Sequence, residues 1–201
     1  MDKEILSLFA ARKGHFRFES GHHGDLWLEV PLAFVEPARI RPYAQKLAAR
    51  LSSHQIEIVC GPLVEGAFLA QMVAEALAAE FCFAEQFARS TGDGLFPVGY
   101  RIPDALRVRI AGKRVAVIDD VINAGSAVRG ACEDLKSCGA QLVGIGALLT
   151  LGNRASALAV TEKVTLEILS NLEVSNLWEP VSCPLCAAGL PLEGGRSSPP
   201  R

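Results

Sequence analysis

The run Val115-Ala-Val-Ile118 is short, apolar and mostly β-branched, and it leads into two adjacent acids, Asp119 and Asp120. Such a run fits a strand covered on both faces in a parallel sheet, and this constrains the chain to an α/β layer architecture more than any other feature does. Burying two like charges side by side is costly. The acids are therefore expected at the strand end, facing water, a cation or hydroxyl groups in the crevice where open α/β sheets collect ligands.

Beyond the acids, Asn123-Ala-Gly-Ser126 has almost no side-chain bulk, so its backbone N–H groups can close around an anion. The helix that follows has its apolar stripe at Val128, Ala131, Cys132 and Leu135 and ends at Gly139. Its N-terminus adds positive dipole to the cup. Carboxylates suited to a diol or Mg²⁺, beside an amide cup suited to a phosphate, describe a site for a ribose 5-phosphate. The bland alternative is a buried strand whose terminal acids only solvate the sheet edge.

The rest of the chain repeats the alternation. Residues 36–53 place Ile40, Tyr43, Ala44, Leu47, Ala48 and Leu51 at helical spacing. A strand is expected at Ile56 to Cys60, a helix from Ala67 to Ala79 and a strand from Phe81 to Glu85. Between Phe87 and Asp104, closely spaced Gly and Pro residues predict a long loop. Leu106 to Ile110 and Arg114 to Asp119 read as strands, Leu142 to Leu151 as another, Ala155 to Glu162 as a short helix and Val164 to Leu169 as a last strand. The expected division is a hood segment over 1–34, a core over 35–182, and a cysteine-bearing turn with a disordered tail over 183–201.

Composition bounds the function. With 201 residues, 50% hydrophobic and 21% charged, the chain can bury one substantial core. No apolar run approaches the roughly 20 residues of a membrane span, and the start Met-Asp-Lys-Glu lacks signal-peptide character, so a cytoplasmic protein with no membrane partner is expected. A net charge of −2 and a pI near 6.1 argue against a nucleic-acid surface. Cys183 and Cys186 have the spacing of half a zinc ribbon. One such pair supplies two of the four ligands that closed zinc needs, so two reduced cysteines in a turn are expected, or a Zn site completed across a dimer. His22 and His23 are adjacent but need not face the same way, so their pairing is a weak signal for a metal site.

The segment Ile118-Asp-Asp-Val-Ile-Asn-Ala-Gly-Ser-Ala127 resembles the phosphoribosyl-pyrophosphate (PRPP) motif of the type I phosphoribosyltransferases, most closely the orotate branch. The resemblance implies a parallel twisted sheet flanked by helices with a small N-terminal hood, Mg²⁺ as cofactor and a homodimer. It implies transfer of a phosphoribosyl group from PRPP to a nucleobase such as orotate. Another base, or a non-catalytic PRPP-binding regulator, are the alternatives.

On this resemblance Asp119 and Asp120 hold the ribose hydroxyls, and Asn123, Ala124, Gly125, Ser126 and Ala127 hold the 5′-phosphate. Asn123 stands where the family usually has Thr and is also a base contact. Gly61, Pro62, Leu63, Val64, Glu65 and Gly66 have Walker-like glycine spacing, but Ala67 and Phe68 replace the Lys and Ser/Thr of such a loop. They match the family's pyrophosphate loop, or a plain strand-to-helix turn. Gly14 to Trp27 resembles the hood, with Phe16 or Trp27 as an aromatic wall for the base or as core residues. Arg154, one residue displaced from the family's base-binding arginine, is a base contact or a surface residue. The family's lysine-rich lid is replaced by a stretch whose cations are Arg89 and Arg101, and Arg101 is the expected catalytic cation.

Overall fold

The computed structural model describes residues 2–88, 95–174 and 177–193. In chain order the elements are α1 (Asp2–Leu6), β1 (Ala10–Arg17), β2 (His23–Glu29), α2 (Val30–Ala33), α3 (Pro37–Leu51), β3 (Ile58–Pro62), α4 (Glu65–Leu77), β4 (Glu80–Ala88), β5 (Val98–Arg101) and α5 (Asp104–Ile110). Then follow β6 (Arg114–Ile122), α6 (Ser126–Ser137), β7 (Gln141–Leu151), α7 (Arg154–Glu162), β8 (Thr165–Leu172) and α8 (Pro184–Ala187). A six-stranded sheet in the order β5-β4-β3-β6-β7-β8 carries the fold, and the antiparallel hairpin β1-β2 stands apart as a two-stranded hood.

The helices divide between the two faces, and the strands alternate accordingly. Along β6, Ala116 and Ile118 join the core beneath α1, α3 and α4, whereas Val115 and Val117 join the core beneath α5, α6 and α7. Both sets are fully buried, which is why this strand reads as an unbroken apolar run. Helix α3 buries Ile40, Tyr43, Ala44, Leu47, Ala48 and Leu51, the residues its 3.6-residue spacing puts on one stripe.

Two expectations are corrected. Leu106 to Ile110 lies in helix α5, not in a strand. Its apolar residues alternate with arginines, yet Val108 is 84% exposed, and Leu106 and Ile110, four residues apart, face the core. The expected loop from Phe87 to Asp104 is largely structured where described. Residues 85–88 pair antiparallel with 98–101 as a β-ribbon at the sheet edge, so the sheet is mixed rather than wholly parallel. Arg89 and the tail from residue 194 lie outside the described residues. Among the described residues, no helix is long and apolar enough to cross a membrane.

The chain reverses its winding between β3 and β6. From β3 it moves outward to β4 and β5, and from β6 outward to β7 and β8. This pair is the topological switch point, where a crevice opens beyond the carboxyl ends of the strands.

Candidate active site

A cavity of about 420 Å³ opens at that switch point. One wall is the turn after β3, Pro62 to Gly66, and the floor is Asp119 to Ala127 at the end of β6. The hood closes the far side with Phe18, Glu19, Leu26 and Trp27, and Tyr100 enters from β5.

Close packing explains the glycines of the β3 turn. A Cβ on Gly61 would fall 2.5 Å from the Gly66 carbonyl oxygen, and one on Gly66 would fall 2.5 Å from Asp119 Oδ1. Bare backbone at both positions lets the turn fold back on itself and brings the start of α4 against the first acid. On the β6 side, Gly125 caps α6 with φ of 75°, a left-handed conformation that glycine adopts without strain. The helix therefore starts at Ser126, and its first residues, Ser126 and Ala127, line the cavity with N–H groups that have no partner within the helix.

Asp119 and Asp120 lie inside β6 rather than beyond its end, and each is only 8% exposed. The acids do line the crevice, as expected, but from within the strand and largely buried rather than beyond its end. The Asp120 N–H donates to Asp119 Oδ1 at 3.1 Å, and the Val121 N–H donates to Asp120 Oδ1 at 2.6 Å. Burial, then the neighbouring Asp120 charge, pushes the Asp119 carboxyl well above its ordinary range. Burial and Glu65 push Asp120 up to about 7. Glu19 is also raised, mainly by burial, despite accepting hydrogen bonds from the Tyr100 hydroxyl at 2.9 and 3.0 Å and from the Ser126 hydroxyl at 3.2 Å.

Glu19, Glu65, Asp119 and Asp120 thus converge on one cavity, and no Lys or Arg is among its described lining residues. Crowded carboxylates with raised affinity for protons are a donor set that fits a divalent cation, which prefers hard oxygen ligands.

The remaining expected residues fall in different places. Asn123, Ala124, Gly125, Ser126 and Ala127 all line the cavity, as does Trp27. Phe16 does not. It is fully buried, with its ring 5.6 Å from Trp27 and the Arg12 guanidinium 5.4 Å above it. Its place at the cavity is taken by Phe18, stacked on Trp27 at 6.3 Å and 9°. Arg101 is on the edge strand, its guanidinium 6.0 Å over the Phe87 ring, and does not line the cavity. Arg154 is an exposed residue at the start of α7, outside the cavity. Its charge adds to the burial that holds His22 below its usual range.

Phe18, Glu19 and Tyr100 were not singled out from the sequence. Glu19, in Phe-Glu-Ser, gives no local signal, because its partners arrive from residues 81 and 107 positions away. Cys183 and Cys186 lie away from the cavity, beside His15 and His23.

Residues 36–185 match the phosphoribosyl transferase domain family. The chain is 32% identical to the orotate phosphoribosyltransferase of Thermotoga maritima over 194 residues, 96% of each chain. It is 30% identical to that of Caldanaerobacter subterraneus over 199 residues, again 96% of each. The orotate phosphoribosyltransferase of Aeropyrum pernix shares the fold, with a TM-score of 0.61 at 19% identity over 85% of this chain and 93% of that one. So does an adenine phosphoribosyl transferase from Trypanosoma brucei, solved with AMP, pyrophosphate and ribose-5-phosphate, with a TM-score of 0.66 at 19% identity over 90% and 85%. The chain belongs to the phosphoribosyltransferase family and is an enzyme of the pentosyltransferase class.

Proposed function

We propose that this enzyme transfers the 5-phosphoribosyl group of PRPP to a ring nitrogen of orotate, giving orotidine 5′-phosphate and pyrophosphate. The observation that carries the reading is the meeting of three parts on one cavity: two acids, an amide cup at a helix start, and a bare glycine turn. The acceptor follows from the named relatives at 30% and 32% identity, which align over nearly the whole of both chains.

In this reading the bond from the anomeric carbon to pyrophosphate breaks, its electron pair leaves with the pyrophosphate, and a bond to the base nitrogen forms as that nitrogen's N–H proton is released to water. Asp119 and Asp120 hold the ribose 2′- and 3′-hydroxyls as positive charge develops at the anomeric carbon, an electrostatic contribution that grows toward the transition state. The N–H groups of Asn123 to Ala127 hold the 5′-phosphate, aided by the α6 dipole. Gly61 lies within β3 and does not line the cavity, Pro62 has no N–H, and the Leu63 N–H is donated to the Ala84 carbonyl, so the N–H groups of Val64, Glu65 and Gly66 are the ones that face the pyrophosphate in this reading. Phe18 and Trp27 offer aromatic surface to the base, while Glu19, tied to Tyr100 and Ser126, fixes the hood against the phosphate cup. Asp119, Asp120 and Glu65 would hold Mg²⁺ together with substrate oxygens, and the bound ion would supply positive charge to offset a polyanion in a cavity lined by carboxylates.

The test is release of pyrophosphate from PRPP and Mg²⁺ with a panel of bases. Release with orotate and not with other bases is expected. Release with a different base alone would overturn the acceptor. Thermal stabilisation by PRPP with no release would indicate a PRPP-binding regulator instead.

A further inference from the structure

Four metal-ligating side chains meet at the far side of the hood, away from the cavity: His15, His23, Cys183 and Cys186. Two of them come from the hairpin and two from the C-terminal turn, and three backbone hydrogen bonds hold these segments together. His23 exchanges a pair with Trp178 at 2.8 and 2.9 Å, and the Glu193 N–H donates to the His15 carbonyl at 2.7 Å. Within the hairpin the register shifts between Lys13 and Phe16, so that Gly14 and His15 together oppose the single residue Asp25. Such a bulge re-aims a side chain, and here it sets His15 beside His23. Between the two points where the C-terminal segment is tied down, the chain turns into α8, and Cys183 and Cys186 are presented from its start.

Four of the six separations between the donor atoms are close to those of a tetrahedral site. Bonds of about 2.0 Å to nitrogen and 2.3 Å to sulfur place tetrahedral neighbours about 3.3 Å apart for two nitrogens and about 3.5 Å apart for nitrogen and sulfur. His15 Nε2 lies 3.1 Å from His23 Nδ1, 3.5 Å from Cys183 Sγ and 3.6 Å from Cys186 Sγ, and His23 Nδ1 lies 3.2 Å from Cys186 Sγ. All four donors fall within 4.8 Å of one another. His15 Nδ1 lies 2.8 Å from the Leu190 carbonyl oxygen. A carbonyl can only accept, so Nδ1 carries the proton and the lone pair of Nε2 faces the cluster, the arrangement that orients metal-bound histidines.

We infer that this chain holds a structural Zn²⁺ ion at His15, His23, Cys183 and Cys186. Two thiolates cancel the charge of the ion, so the site is neutral, in keeping with His15 at 2%, His23 at 5% and Cys183 at 3% exposed. Two nitrogens and two sulfurs in tetrahedral array select zinc among the common divalent ions, and four protein ligands leave no open position for catalysis. The ion joins positions 168 residues apart and pins the C-terminal turn to the hairpin. That hairpin leads directly into Phe18 and Glu19, so the ion also steadies one wall of the cavity.

The test is elemental analysis of the full-length protein purified without chelator. One zinc per chain is expected, falling to background in Cys183→Ser/Cys186→Ser and at least severalfold in His15→Ala/His23→Ala. Less than half an equivalent of zinc in the wild-type chain, or a Cys183–Cys186 disulfide in its place, would overturn the site. Full zinc occupancy in the double histidine variant would overturn the four-ligand assignment. Because these variants can fail to fold, the wild-type protein is also exchanged with Co²⁺. Intense visible bands of a tetrahedral thiolate complex are expected, and a weak octahedral spectrum would contradict the inference. Both readouts are independent of turnover, so this site and the proposed reaction fail separately.

Discussion

Asp120 carries a carboxyl whose proton affinity is raised to about 7, by burial first and by Glu65 second. An acid with a raised folded-state pKa keeps its proton when folded at pH values where the unfolded chain has lost it. Its contribution to stability is therefore greatest at or below the ordinary carboxylate range and is lost as pH rises to about 7. Thermal melting of the protein without substrate should show this decline, and Asp120→Asn should flatten it. An equal slope in both proteins would contradict the burial of this charge. For Asp119 the expectation concerns rate. Asp119→Asn keeps the shape and removes the charge, so kcat should fall by roughly 10²- to 10³-fold, as for other lost electrostatic stabilisers, with Tm unchanged or raised. Unchanged kcat would refute the assignment. These acids were visible in the sequence because strand, acids and phosphate cup are contiguous there. Their burial was not, because the hood and Glu65 that enclose them are distant in sequence.

Among the elements, the contact of α6 with β5 sets the cavity. A Cβ on Gly130 would lie 2.9 Å from the Tyr100 ring and 3.1 Å from Tyr100 Cβ, so helix and strand touch through bare backbone. Gly130→Ala should cost about 1 to 3 kcal/mol through overpacking. It should also raise KM, because Tyr100 and Ser126 both hold Glu19. Denaturant melts and steady-state kinetics check this, and a variant with wild-type stability would contradict the tight contact. The elements that periodicity revealed are those whose neighbours impose one buried face, such as α3. Helix α5 read as a strand because Leu106, Val108 and Ile110 alternate with arginines. What decides its form is tertiary: Arg107 donates to Asp134 at 2.8 Å, and the Ile102 N–H donates to the same carboxylate oxygen at 2.7 Å, anchoring the chain on α6. The edge strand β5 was hidden for a related reason: it has four residues, contains Gly99, lies between Pro97 and Pro103, and pairs on one side only.

At the scale of the whole molecule, one sheet serves two assemblies of residues. Its switch point gathers the acids, the amide cup and the glycine turn. The hood, held to the C-terminal turn, closes over them. Alternation of apolar runs and helical stripes disclosed the sheet and its helices. The CxxC pair marked two of the four residues of the proposed zinc site, and the sequence did not join them to His15 and His23, because only a hairpin bulge and a chain reversal bring His15 to Cys183. The central claim is that the switch-point cavity binds the phosphoribosyl donor through Asp119 and Asp120. Titration calorimetry of PRPP with Mg²⁺ present tests it most directly. Saturable binding at one site per chain, weakened at least tenfold in Asp119→Asn/Asp120→Asn, is the predicted result; no association with the wild-type chain, or equal affinity in the variant, would contradict it.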